Sequence, residues 1–265
     1  MKKFDGILIC SDVDGTLLKT DKSLSAENLE AIEYFKQNGG KFTIMTGRMP
    51  FALHTVLDII TPNAPLGFGN GLGLYDVASG KMPLSNSLGI SALPIARYIY
   101  DNFPDIGIEY TTYDEILCAR VTETVVRHLD HEKLPLKTIS IDGFKGDLAK
   151  ILFAAESEKI DSLTSVLPNL ECTSPFQLIR SDAVYYEVLP KDMTKGTLVL
   201  KLSEILGIDI KNVIAIGDNE NDVSMLKAAG TGIAVGNATE SAKTAADIVT
   251  VSNEENAIAK IIYDL

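Results

Sequence analysis

Cysteine is scarce in this chain: Cys10, Cys118 and Cys172 lie far apart, are odd in number and form no C-x-x-C pair. Neither a zinc site nor a disulfide framework is supported, and three buried small side chains in a reducing compartment are expected instead. Clustered lysine and arginine are also missing, and the formal net charge is −12. A nucleic-acid binder groups its cations to displace counterions from phosphates, so the composition argues against DNA, RNA and anionic membranes as partners. It leaves a small phosphorylated substrate open, because one well-placed cation and a metal overcome the mean field. No apolar run approaches the length of a membrane span, and the first apolar run is too short for the core of a secretion signal. A cytoplasmic protein is expected, either a monomer or a small homo-oligomer.

What is present is an alternation of strand and helix signals at both ends of the chain. Ile7-Leu8-Ile9-Cys10 reads as a strand buried on both faces, and it stops at Asp12. Ser25 caps a helix in which Leu29, Ile32 and Phe35 recur at helical spacing, with Gly39-Gly40 as the stop. Phe42-Thr43-Ile44-Met45 is the next strand, followed by Thr46-Gly47-Arg48 and a helix opened by Pro50. Alternation resumes after Pro190 with a helix over 195–206, the strand Asn212-Val213-Ile214-Ala215-Ile216 and a helix over 221–229.

The middle differs, with helices over 92–102, 122–131 and 159–166 mixed among strands, including strands near 136–139 and 170–173. The expected architecture is α/β: a doubly wound, mostly parallel Rossmann-like core sheet from residues 1–84 and 190–265. Residues 85–189 form an inserted α+β domain. In such a core, ligands gather at the carboxyl ends of the strands, where Asp12 and Thr46 both fall.

Asp12-Val13-Asp14-Gly15-Thr16 puts two carboxylates on one side of an extended stretch. Crowded carboxylates persist with a cation or a shared proton, and beside phosphate a hard dication such as Mg²⁺ fits. Taken alone, D-x-D-G is equally an Asp-rich turn. Gly217-Asp218-Asn219-Glu220-Asn221-Asp222 is a second acidic group at a strand end, with Asp218 able to complete a metal site with Asp12. Helix capping also accounts for Asn221 or Asp222. Thr46-Gly47 offers a hydroxyl and a backbone N–H, and Lys195 a point charge for phosphate. By themselves these two are ordinary turn and surface features.

As an ordered set, the four pieces resemble the haloacid dehalogenase superfamily. Asp12-x-Asp14-Gly15-Thr16 is its first motif and Thr46 its second. Lys195 is its third, and Gly217-Asp218-x-x-Asn221-Asp222 its fourth. The long insertion, Asn70-Gly71 and Ala234-Val235-Gly236-Asn237-Ala238 are similar to the Cof-like subclass IIB, whose insertion is a substrate-selecting cap.

The resemblance implies a Mg²⁺-dependent phosphomonoesterase for a small phosphorylated metabolite such as a sugar phosphate, nucleotide or cofactor phosphate. Asp12 is then the nucleophile that forms an aspartyl-phosphate, and Asp14 the general acid and base. Asp12, Asp14 through its backbone carbonyl, and Asp218 hold the metal. Thr46, Gly47, Lys195 and Asn221 bind phosphate, with Asp222 in support. A phosphotransferase or phosphomutase using the same intermediate is an alternative, as is a non-catalytic phosphoacceptor or binding module. Among weaker features, Gly67, Gly69, Gly71 and Gly73 fit a tight hairpin and not a dinucleotide loop. His128 and His131 are expected to be exposed, and Tyr110, Tyr113, Tyr185 and Tyr186 are expected to pack more than to bind.

Overall fold

The computed structural model describes residues 2–265. The chain begins with β1 (Leu8–Ser11), α1 (Ala26–Gln37), β2 (Lys41–Ile44), a short α2 (His54–Leu57), β3 (Leu66–Phe68), β4 (Gly73–Asp76) and β5 (Lys81–Ser85). The middle contains α3 (Leu93–Asn102), β6 (Gly107–Thr111), β7 (Ile116–Arg120), α4 (Glu123–Glu132), β8 (Lys150–Ala154), α5 (Ser157–Val166), β9 (Phe176–Asp182) and β10 (Tyr185–Pro190). The remainder is α6 (Lys195–Leu206), β11 (Val213–Gly217), α7 (Val223–Ala228), β12 (Thr231–Ala234), α8 (Glu240–Ala245), β13 (Ile248–Val249) and α9 (Ala257–Asp264). These elements form two compact units. The first comprises the chain up to Arg48 with Thr55–Leu84 and Thr194–Leu265; the second comprises Met49–His54 with Ser85–Met193.

The first unit is built on a parallel sheet in the order β13-β12-β11-β1-β2. Every residue of β1 and β11 is buried, which is why both read as continuous apolar runs. Strand order reverses direction at β1: the chain leaves it for β2 on one side and returns to β11 on the other. Such a switch point opens a crevice at the carboxyl ends of the strands. Asp12, Thr46 and Asp218 directly follow or lie just beyond the ends of β1, β2 and β11. Helix α1 starts at Ser25, whose side chain accepts from the Asn28 amide, and buries Ala31, Ile32 and Phe35. Asn28 is buried where Leu29 was expected to be, and its Oδ1 accepts from Ala259 N–H of α9 at 2.9 Å.

The second unit carries a sheet in the order β7-β6-β8-β10-β9, with antiparallel pairing between neighbours. Alternation assigns its faces. Ile108, Tyr110, Ile151, Phe153 and Val188 pack with Ile95 and Ile99 of α3 and with Ile160 and Leu163 of α5. Cys118, Leu152 and Ala154 pack with Val125 and Leu129 of α4. At about 25 cal/mol per Å² of apolar surface, such fully buried side chains stabilise the unit by roughly 1.5–3 kcal/mol each.

Several local expectations change. The strand near 170–173 is a 3₁₀ turn, Glu171–Thr173, because the Thr173 hydroxyl bonds back to the carbonyls of Leu167 and Leu170. The stretch near 136–139 makes an isolated bridge, Thr138 to Cys118; Pro135 lacks a donor and Leu136 is exposed. The turn from Pro50 is a 3₁₀ segment, Pro50–Ala52, and not a full helix. Cys10 and Cys118 are buried, whereas Cys172 is exposed.

Candidate active site

Asp12 emerges from the buried β1 with its amide bonded to the Ile216 carbonyl at 2.9 Å, so β11 fixes its backbone. Its Oδ1 accepts from Lys195 Nζ at 2.5 Å, and the same ammonium reaches Asp222 Oδ1 at 2.6 Å. Lys195 opens α6, and a reciprocal capping box between Thr194 and Thr197 sets that first turn. The residue after it must be small: a Cβ at Gly196 would lie 2.4 Å from the Ser224 carbonyl oxygen of α7.

Asp222 anchors the other side. Its Oδ2 accepts from the amides of Asp218 and Asn219 at 2.9 and 3.0 Å. The acidic run after β11 is therefore both a capping box and a charge holder. Burial acts first on Lys195, lowering its pKa, but Asp12 and Asp222 outweigh it and keep the ammonium charged.

Burial also dominates at Asp12, and together with the charges of Asp222 and Asp218 it raises that carboxyl well above the usual range despite Lys195. Asp218 is pushed up to about 6 by burial and by Asp222, while Thr16 Oγ1 donates to its Oδ1 at 2.6 Å and opposes the rise. Carboxylates so destabilised in their charged form suit a cation. Among the described residues, Asp12, Asp218 and Asp222 are the group whose ligand atoms lie close enough to share a metal, within 4.8 Å of one another. Both oxygens of Asp222 are already engaged, by Lys195 and by two backbone amides, so the ligands this group offers are Asp12 and Asp218. That oxygen-only donor set fits a hard dication. Gly15 is held at φ +86°, and a Cβ there would sit 2.6 Å from Asp218 Oδ2.

Asp14 turns its side chain elsewhere. Arg48 grips it with Nε on Oδ2 and Nη2 on Oδ1, both at 2.9 Å, and Lys22 Nζ reaches Oδ1 at 3.0 Å. Burial raises the Asp14 carboxyl, but Arg48 and Lys22 overcome it and bring it down to about 2. Asp14 is thus held in its base form. The acid half of its expected role requires these cations to be drawn off it.

Thr46 ends the run after β2, its amide bonded to the Gly67 carbonyl at 2.9 Å and its Oγ1 accepting from Arg48 N–H at 3.1 Å. Asn221 is buried and donates from Nδ2 to Asn70 Oδ1 at 3.0 Å. The Asn221 Oδ1 is buried with no hydrogen-bond partner among the described residues. An acceptor presented this way suits a donor, such as an ammonium or a water, better than a bare phosphoryl oxygen. The residues expected from sequence therefore gather around the ends of β1 and β11, with Asp14 directed to Arg48. Arg48 and Lys22 join the site through Asp14, and Thr16 and Asn70, which the sequence places in the first motif and in the subclass resemblance without a role, join it through Asp218 and Asn221.

A family model for haloacid dehalogenase-like hydrolases matches residues 9–262. The chain belongs to this family. Membership makes it an enzyme of the hydrolase class, and the relatives it is similar to are named as phosphatases. It is 29% identical to a putative phosphatase, YxeH, of Bacillus subtilis, with 97% of each chain covered. It is 28% identical to the pyridoxal phosphate phosphatase YbhA of Escherichia coli, again over 97% of each. A solved haloacid dehalogenase-like hydrolase from Bacteroides thetaiotaomicron superposes with a TM-score of 0.83 at 26% identity, covering 99% of both chains. Among the described residues no helix is long and apolar enough to cross a membrane.

Proposed function

We propose that this hydrolase is a Mg²⁺-dependent phosphomonoesterase that works through an aspartyl-phosphate on Asp12. The observation that carries the reading is Asp12 itself: a buried carboxylate at a strand end, with Lys195 on one oxygen at 2.5 Å and Asp218 beside it. A carboxylate oxygen of Asp12 attacks phosphorus as the bond to the leaving alcohol breaks, and Asp14, protonated from solvent once Arg48 and Lys22 are drawn off it, gives that proton to the leaving oxygen. Water then attacks the aspartyl-phosphate, losing its proton to Asp14, and the bond from phosphorus to the Asp12 oxygen breaks to free inorganic phosphate. Lys195 stays charged throughout and holds Asp12 in line, while Asp222 holds Lys195. Thr46 and Gly47 bind the phosphoryl oxygens, and Asn221 supports Lys195 or a bound water.

Asp12, Asp218 and the Asp14 backbone carbonyl are the groups that would hold Mg²⁺. When bound, it supplies positive charge that offsets repulsion between Asp12 and a dianionic phosphoryl group. The substrate class is small phosphorylated metabolites: sugar phosphates, nucleotides or cofactor phosphates. The family supports this class, and so does a relative named for pyridoxal phosphate.

The test is phosphate release across a panel of such esters with Mg²⁺, and again after complete metal removal. Turnover on some of the panel, lost with EDTA and restored by Mg²⁺, is expected. Full activity after metal removal would refute the metal-dependent mechanism.

A further inference from the structure

The turn after β3 contains an asparagine in an unusual setting. Asn70 lies in the left-handed region at φ 55°, ψ 23°, flanked by Gly69 and Gly71, and is fully buried. Asparagine tolerates this backbone better than most residues, but glycine adopts it at less cost. Burying the amide adds a desolvation cost that only hydrogen bonds offset. A residue kept under both penalties is held there by what its side chain joins.

Its contacts lead to the reacting centre from two directions. The Asn70 amide N–H donates to the Thr46 carbonyl at 3.1 Å, and the adjacent Gly69 N–H donates to the Arg48 carbonyl at 3.0 Å. Its side-chain amide lies against Gly47, where a Cβ would stand 2.9 Å from Asn70 Nδ2. Its Oδ1 accepts from Asn221 Nδ2 at 3.0 Å, a buried bond between residues 151 apart in sequence. The backbone here thus holds the turn after β2, while the Asn70 side chain, packed on Gly47, links it to the segment that leads into α7. It also decides which end of the Asn221 amide is spent: Nδ2 is used on Asn70, and Oδ1 is left as the buried acceptor.

We infer that Asn70 is a positioning residue for phosphoryl transfer. It locks the Thr46–Gly47 turn to Asn221 and fixes the polarity with which Asn221 faces Lys195 or a bound water. The inference rests on the phosphomonoesterase reading, since it assigns Asn70 to the support of that site. Displacing a supporting group by about an ångström costs on the order of a hundredfold in rate.

The experiment compares wild type, Asn70→Gly and Asn70→Asp. Glycine keeps the left-handed backbone and removes the amide, whereas aspartate keeps an oxygen to accept from Asn221. With p-nitrophenyl phosphate as probe, Asn70→Gly is expected to lose about ten- to a hundredfold in kcat/KM, mainly in kcat. Its melting temperature should stay near that of wild type, and Asn70→Asp should recover most of the lost rate. Equal rates for wild type and Asn70→Gly would overturn the proposal, as would an Asn70→Asp rate no better than that of glycine.

Stabilisation by inorganic phosphate, read as a melting shift, supplies a second arm that needs no turnover. A shift in wild type that is lost in Asn70→Gly supports positioning, and an equal shift in both overturns it. A wild type that hydrolyses none of the panel would sink the hydrolase reading, while the phosphate shift still judges Asn70. If inorganic phosphate also fails to stabilise wild type, Asn70 has no phosphoryl site to position and the proposal falls.

Discussion

Lys195 is fully buried, and its ammonium is shared by Asp12 and Asp222. Replacing it by methionine keeps much of the volume and removes the charge. Two carboxylates then remain in a dry site without their cation, which costs about 3–5 kcal/mol for breaking a buried pair. An unfolding entropy near 2.1 cal/mol/K per residue gives roughly 0.55 kcal/mol/K for 265 residues. The expected fall in melting temperature for Lys195→Met is therefore about 5–9 °C near neutral pH. The measurement is thermal unfolding in excess EDTA, since a bound dication would replace part of the lost charge.

Adding Asp12→Asn to Lys195→Met should restore more than half of the fall, because the uncompensated charge is what costs. The sign with pH follows. Without the ammonium, the Asp12 carboxyl is raised further, so its penalty applies above that pKa and is relieved as acid protonates it. A Lys195→Met protein that melts within about 2 °C of wild type would refute this account of the site. So would a double variant no more stable than Lys195→Met alone.

The two carboxylates proposed as catalytic, Asp12 and Asp14, should separate by leaving group. Asp14→Asn is expected to lower kcat on an alkyl phosphate by about 10²–10⁴-fold, and by much less on p-nitrophenyl phosphate, whose leaving group needs little proton assistance. Asp12→Asn should abolish both, and full alkyl phosphate turnover by Asp14→Asn would remove its acid/base role. In the second unit, His128 Nδ1 lies 2.9 Å from Oε1 of the fully buried Glu109. Burial lowers the His128 pKa, but Glu109 and Glu132 outweigh both burial and Lys150 and leave it raised. The pair's stabilisation is thus complete below the unfolded value of about 6.5 and is lost as pH rises through the folded value. Unfolding profiles of wild type and His128→Gln should converge on the alkaline side, and a constant difference from acid to alkaline pH would contradict the assignment.

The residues legible in sequence share one property: each sits at an abrupt end of a buried strand or at the head of a helix. Asp12 stops β1, Asp218 follows β11, and Lys195 opens α6. A chemical residue there interrupts an apolar pattern and becomes visible. Arg48 interrupts nothing, and Thr16 and Asn70, though part of the motifs, show no role in the pattern. Their meaning lies in pairs formed across the fold: Arg48 with Asp14, Thr16 with Asp218, and Asn70 with Asn221. No local spacing encodes such partners. His128 is largely buried, against the expectation of an exposed histidine, for the same reason. Its three-residue spacing from His131 is local, whereas its partner Glu109 is on β6, fully buried. The segment near 170–173 failed differently, because a threonine hydroxyl bonding to two carbonyls captured a turn within an apolar run.

The charge inventory of the site explains why a chain with net charge −12 is suited to a phosphorylated substrate. Asp12, Asp14, Asp218 and Asp222 face Lys22, Arg48 and Lys195, a local balance one charge short of neutral. A phosphate dianion entering alone would take that balance to three negative charges in a largely buried site, where repulsion is poorly screened. Entering with a dication, it leaves the balance at one. The basic residues are too few, and too fully committed to the carboxylates, to admit the anion unaided. Lys195 is held by two of them, and Arg48 meets Asp14 through two nitrogens. On the proposed reading, the acidic surplus at the ends of β1 and β11 is what would couple phosphate entry to a cation on Asp12 and Asp218. The overall sign of the protein's charge gives no guide to the sign of the substrate.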